Sequence, residues 1–409
     1  MFAAQLARTL CIWRHLIRIS SHSLRHRANA LGYCAGSSLQ RNLTLKVSTM
    51  FARSNFALRT LPLAMAAYCA LLQPAAHASE AGFRTMKVTA TSADAKPAKF
   101  ALYYPTADAA RVIPMGPFPQ NVAINGAPEA KFKGLIVISH GTVSTEIGFA
   151  TLAQALARNG YLVASVEHVG DTWQDQSLRA TPARYFAERP RQVSRVIDTV
   201  LANPQLRAGI ANGADGQPLV GALGHSAGGY TVLALAGGKP VLSRIRTHCE
   251  TEAELDPVMC KLSRDIGSAS AQTSANADGQ ADAQADGKEL PVQADTRVRA
   301  VMALAPMGVA FSASSLASIT VLVAIYAGEK DTFLVPRFHA QWVMQNMRSA
   351  STTLQMVPNA GHYAFMNTPT FDLPSPDGSV AGDPQGFDRA AFLAGLAQES
   401  ITFFDKALR

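Results

Sequence analysis

Two apolar patterns alternate along the chain from residue 135 to residue 408. Leu135-Ile136-Val137-Ile138-Ser139 is an unbroken apolar run of strand length, the pattern of a strand covered on both faces inside a parallel sheet. Phe149, Leu152, Ala153 and Leu156 then recur at helical spacing, and Asn159-Gly160 supplies a stop. Residues 161–166 read as the next strand, and Val193, Val196, Ile197, Val200 and Leu201 mark a second amphipathic helix ahead of a buried strand at 219–223. Beyond residue 296 the runs 298–304, 321–325 and 353–357 repeat the strand pattern. A last helix over about 387–408 offers Phe392, Leu396, Ile401 and Phe404 as its buried stripe. Alternation of this kind predicts an α/β fold, a mostly parallel central sheet with helices on both faces. Ahead of it, 86–91 and 100–104 alternate like half-buried strands and predict an antiparallel edge, followed by a Pro-rich stretch with Pro114, Pro117 and Pro119.

The alternation breaks between residues 239 and 296, which predicts a cap-like insert after the helix that follows residue 228. Within it, 267–287 is a tract of Ala, Asp, Gln, Ser, Gly, Thr and Asn without a large apolar side chain. Such a tract buries too little surface to offset its ordering entropy and is expected to be mobile.

Composition adds a boundary. Hydrophobic residues make up 48% of the 409 and charged ones 16%, as in a globular protein. The formal charge of +8 is misleading, because residues 1–78 hold nine of the 37 basic residues and none of the 29 acidic ones. The remaining 28 basic against 29 acidic residues give −1, so the charge offers no case for a nucleic-acid partner. Met50, Arg53 and Arg59, an apolar run over 61–72 and Ala76-His77-Ala78 compose a secretory signal over 50–78, with cleavage expected after Ala78. Residues 1–49 then read as a non-native extension from start-codon choice, and 79–409 as a single domain carrying the insert. The exported chain is expected in the periplasm or outside the cell, with no stable membrane anchor once the signal is removed. Cys11, Cys34 and Cys69 leave with the leader. Cys249 and Cys260 remain as the one pair, and in an oxidising compartment they predict a disulfide.

The chemistry centres on Gly224-His225-Ser226-Ala227-Gly228, a G-x-S-x-G pentapeptide between a predicted strand and a predicted helix. This is the pattern of a nucleophile elbow, where a serine is held in a strained turn and glycines two residues to either side allow chain to pass over chain. A serine hydroxyl needs a base, and the base needs an orienting carboxylate. Downstream, the strand at 321–325 runs into Gly328-Glu329-Lys330-Asp331, and the strand at 353–357 into Ala360-Gly361-His362. Asp331 is the candidate acid, with Glu329 the alternative, and His362 the candidate base; His339 is expected inside a helix after Pro336. An oxyanion hole is expected from the Ala227 N–H and the Thr142 N–H in the loop Ser139-His140-Gly141-Thr142-Val143. His140 and His225 read as structural, and His168 as a residue at another strand end.

The order of S-H-G-T, G-H-S-A-G-G-Y, G-E-K-D and A-G-H resembles the α/β-hydrolase superfamily over roughly residues 99–408. Within it the chain is similar to the exported group called predicted dienelactone hydrolases, near the platelet-activating-factor acetylhydrolases. Arg189-Pro190-Arg191-Gln192-Val193 shares in that likeness. The resemblance implies carboxylester hydrolysis through an acyl-enzyme, a small-molecule ester or lipid-like substrate, and no metal or cofactor. Ser226 stands where true dienelactone hydrolases carry cysteine, and the oxyanion loop lacks a glycine that many relatives have. An amidase or peptidase using the same triad, or a non-catalytic binding protein on the same fold, are the other readings the sequence leaves open.

Overall fold

The computed structural model describes residues 79–88, 98–264 and 287–409. The leader, its expected cleavage site up to Ala78 and nearly all of the apolar-poor tract lie outside the described residues, as do 89–91 of the first predicted strand.

Ten strands form one sheet: β1 (Glu80–Lys87), β2 (Lys99–Thr106), β3 (Arg111–Ile113), β4 (Gln120–Ile124), β5 (Leu135–Ser139), β6 (Leu162–Val166), β7 (Val220–His225), β8 (Val298–Leu304), β9 (Leu322–Gly328) and β10 (Thr353–Val357). Their order is β10-β9-β8-β7-β5-β6-β2-β1-β4-β3. The six strands from β10 to β6 are all parallel to their neighbours, and β2 joins β6 antiparallel, as β1 joins β2. The edge differs from the expectation, since β3 and β4 flank the Pro-rich stretch and extend the sheet beyond β1.

Among the described residues the sheet is accompanied by helices α1 (Ala150–Arg158), α2 (Pro182–Ala202), α3 (Pro204–Gly209), α4 (Ala227–Leu235), α5 (Leu242–Thr251), α6 (Ala313–Ala317), α7 (Ala340–Asn346) and α8 (Arg389–Ala407). Residues along each central strand alternate between two cores. Leu135 and Val137 face one with Val193, Leu233 and Val343; Ile136 and Ile138 face the other with Leu152, Leu396 and Phe404. The central strands β5, β6 and β7 are buried at every position because helices cover both faces.

Within 239–296, α5 and a helical segment at 257–264 are joined by the Cys249–Cys260 disulfide, with Cα atoms 5.2 Å apart. Chain order reverses across β5, which lies between β6 and β7. The carboxyl ends of β5 and β7 therefore border the crevice where open α/β sheets bind ligands.

Candidate active site

Backbone strain marks the same edge of the sheet. Five non-glycine residues among those described have positive φ, and four of them, Val143, Ser226, Ala305 and Asn359, lie within four residues of the carboxyl ends of β5, β7, β8 and β10. Such conformations cost about 1–3 kcal/mol each and persist where the surroundings enforce them.

Ser226 links β7 to α4 at φ 57° and ψ −119°. The small residues around it are required by space. A Cβ on Gly224 would stand 2.1 Å from the Gly228 carbonyl oxygen, and one on Gly228 would stand 1.9 Å from that of Ser139. Helix α4 is buried along its whole length, which fixes its first turn, and the Ser226 N–H donates to the Leu304 carbonyl at 2.9 Å.

The imidazole of His362 is held on three sides. Its Nδ1–H donates to Asp331 Oδ2 at 2.8 Å, which leaves Nε2 as the ring's acceptor. Phe333 stacks on it with centroids 4.5 Å apart and an interplanar angle of 12°. The His225 ring lies 4.7 Å away, and His225 Nε2–H donates to the His362 carbonyl at 2.9 Å. That bond ties the residue before Ser226 to the residue carrying the imidazole. Burial, and next the nearby His362, push the His225 pKa well down, so it is a neutral strut. Asp331 is fixed by its other oxygen, which accepts from the Phe333 and Leu334 N–H groups at 2.9 and 2.8 Å. Glu329 instead accepts from the Asn359 N–H at 2.9 Å, so of the two acids only Asp331 is bonded to His362.

The loop after β5 abuts Ser226: a Cβ at Gly141 would meet the Ser226 Cβ at 3.2 Å. Ala227 is the first residue of α4, where a helix has no internal acceptor for its N–H. Thr142 is anchored through its hydroxyl to the Tyr185 hydroxyl at 2.7 Å. His140 and His168 are fully buried beneath this loop. His140 Nε2 accepts from the His168 N–H at 3.1 Å, so Nδ1 carries its proton and donates to the Gly141 carbonyl at 2.7 Å. Burial, with the Arg189 charge next, pushes the His140 pKa down to about 3. The His168 imidazole bonds Ser139 and Gln192, while the Asp171 N–H donates to the His168 carbonyl at 2.9 Å.

His339 lies just before α7 as its N-cap, where the sequence placed it within a helix. It donates from Nε2 to the buried Asp256, 83 residues away in the chain, at 2.9 Å. Phe333 and Asp256 were not legible as site or network members, because neither stands in a motif and each finds its partners through long-range packing. Among the described residues no group of His, Cys, Asp or Glu is arranged to hold a metal ion.

No family model and no curated protein matches the chain. Among solved structures the chain is similar to a ferulic acid esterase from Streptomyces cinnamoneus, at 16% sequence identity and a TM-score of 0.50, over 83% of this chain and 93% of that one. The likeness is one of architecture: with its mostly parallel ten-stranded sheet and helices on both faces, this chain has the α/β-hydrolase fold.

Proposed function

We propose that this chain is an exported serine hydrolase that cleaves carboxylic esters, with Ser226 as nucleophile, His362 as base and Asp331 as its orienting acid. The observation that carries the reading is the strained Ser226, tied through His225 to an imidazole whose Nδ1 is committed to Asp331. In this reading Ser226 Oγ attacks the ester carbonyl as its proton passes to His362 Nε2. The Ala227 and Thr142 N–H groups receive the negative charge on the carbonyl oxygen. The alcohol leaves with the proton from His362, and acyl-Ser226 remains. Water then gives a proton to the same nitrogen as its oxygen attacks the acyl carbon, and as the acyl–Oγ bond breaks His362 returns that proton to Ser226 Oγ and the acid is released. Asp331 holds the imidazole in the productive tautomer throughout.

The substrate is proposed as a small ester, lipid-like ones included, within the exported group the sequence resembles. The Cys249–Cys260 disulfide suits an oxidising compartment and supports export. Hydrolysis of p-nitrophenyl acetate tests the reading, with a drop of at least about 10⁴-fold in kcat expected for Ser226→Ala and for His362→Gln. Unchanged turnover in either variant would remove the assignment. N-terminal sequencing of the exported protein should read Ser79-Glu80, and a mature chain beginning before Met50 would contradict the leader reading.

A further inference from the structure

The segment Arg189-Pro190-Arg191-Gln192 has no role in the chemistry above, yet its side chains meet both carriers of the proposed oxyanion donors. Arg189 lies on α2, is 0% exposed and is the largest fully buried side chain among the described residues. A guanidinium so placed must be fully compensated or it costs several kcal/mol. Its three bonding nitrogens go three ways. Nη1 pairs with the buried Asp171, Nη2 donates to the His140 carbonyl, and Nε donates to Thr231 Oγ1 at 3.1 Å.

The partners are the informative part. His140 opens the loop that holds Thr142. Asp171 Oδ1 accepts from the Val143 N–H at 3.0 Å, on the far side of Thr142. Val143 is β-branched at φ 57°, a conformation such a residue avoids unless held there. Thr231 belongs to α4, and its hydroxyl donates to the Ala227 carbonyl at 2.8 Å. One guanidinium and its carboxylate thus grip the loop on both sides of Thr142 and reach the first turn of the helix that begins with Ala227.

The rest of the helix face agrees. Tyr185, Arg189 and Gln192 stand at i, i+4 and i+7, one stripe of α2. Tyr185 bonds the Thr142 hydroxyl. Gln192 accepts from His168 Nδ1–H at 2.9 Å and donates to the Val169 carbonyl at 3.0 Å, which leaves His168 Nε2 to accept from the Ser139 hydroxyl. Pro190 has no N–H, so the Phe186 carbonyl four residues back loses its helical partner and accepts from the Tyr230 hydroxyl of α4 at 2.9 Å.

We infer that Arg189, clamped by Asp171, is a positioning residue that sets the spacing between the Thr142 and Ala227 N–H groups and so governs stabilisation of the oxyanion. The inference rests on the ester-hydrolase reading of Ser226 and its neighbours. Arg189→Lys is the informative variant, because it keeps the charge beside Asp171 but cannot make the three-way fork. Its kcat and KM are measured on p-nitrophenyl acetate and on the matched thionoester, whose sulfur gains little from hydrogen-bond donors.

Arg189→Lys should lower kcat on the oxygen ester about 100-fold with KM changed less than about threefold, while the thionoester rate changes less than about threefold. Thr231→Val leaves the Arg189–Asp171 pair intact and should show the same selective loss at about tenfold. It carries the test alone if Arg189→Lys does not fold. A parallel fall on both substrates, or an unchanged ratio, overturns the role given to Arg189. Wild-type protein that hydrolyses neither substrate and has an unreactive Ser226 overturns the ester-hydrolase reading instead, which keeps the two failures apart.

Discussion

Replacing Gly228 by alanine puts a methyl group where the chain leaves no room for one. The new Cβ would lie 1.9 Å from the Ser139 carbonyl oxygen, 2.6 Å from its carbonyl carbon and 2.8 Å from the His140 oxygen. Ordinary contact begins at 3.4 Å, so helix and loop must part by about 1.5 Å. Neither yields cheaply. Ser139 is paired with Val166 on one side and Gly224 on the other, and α4 is buried along its length. Overpacking of this kind costs about 1–3 kcal/mol or more. A shift of about 1 Å in a catalytic constellation costs about 100-fold in rate. Gly228→Ala should therefore lose about 100-fold in kcat on p-nitrophenyl acetate and show a lower urea midpoint. Gly395→Ala is the control, since it lies exposed within α8 with no atom within 4 Å of its Cβ. That change should raise stability by up to about 1 kcal/mol and leave kcat unchanged. A folded Gly228→Ala protein with kcat within about threefold of wild type would refute the close-packing argument for the elbow.

Asp331→Asn should reduce kcat by about 10⁴-fold, whereas Glu329→Gln should leave it near wild type; the reverse order would reassign the acid. The disulfide closes a separation of 11 residues, and replacing both cysteines by serine should cost about 3 kcal/mol in urea unfolding, while equal midpoints would deny it any role in stability. Burial pushes the Asp256 carboxyl up, but hydrogen bonds from His248 and His339 outweigh it and hold the pKa at about 2, against 3.8 ordinarily. A depressed folded-state value means stability that is complete above the unfolded pKa and lost as pH falls through the folded one. About 2 kcal/mol should vanish between about pH 4 and pH 2, and Asp256→Asn should flatten that part of the pH–stability curve. An unaltered acid limb in the variant would exclude Asp256 as its source.

The central strands were legible because both faces of the sheet are covered, which makes β5 and β7 nearly continuous apolar runs and leaves Arg299 as the one charged residue of β8. The bounds of β8 at 298–304 and of the edge strand β10 at 353–357 match the expectation residue for residue. The outer strands β3 and β4 were not, being short, partly exposed and separated by prolines. The helix expected around residues 193–201 is in fact α2, which begins at Pro182. Its first half was hidden because part of its buried face is polar: Arg189 and Gln192 are turned inward to bond loops rather than to fill a core. The Ser226, Asp331 and His362 positions followed from motifs at strand ends, where local turn chemistry restricts residue choice. Partners such as Arg189 with Asp171, or Phe333 on His362, join loops that only the sheet brings together, and no short-range pattern records them.

The most direct test of the account is the reaction of the folded protein with a fluorophosphonate, followed by peptide mass analysis. One phosphonylated residue is expected, Ser226, with ester hydrolysis lost in proportion to labelling and no labelling in His362→Gln. Full labelling elsewhere, or an unmodified Ser226 in protein that still hydrolyses esters, would contradict it.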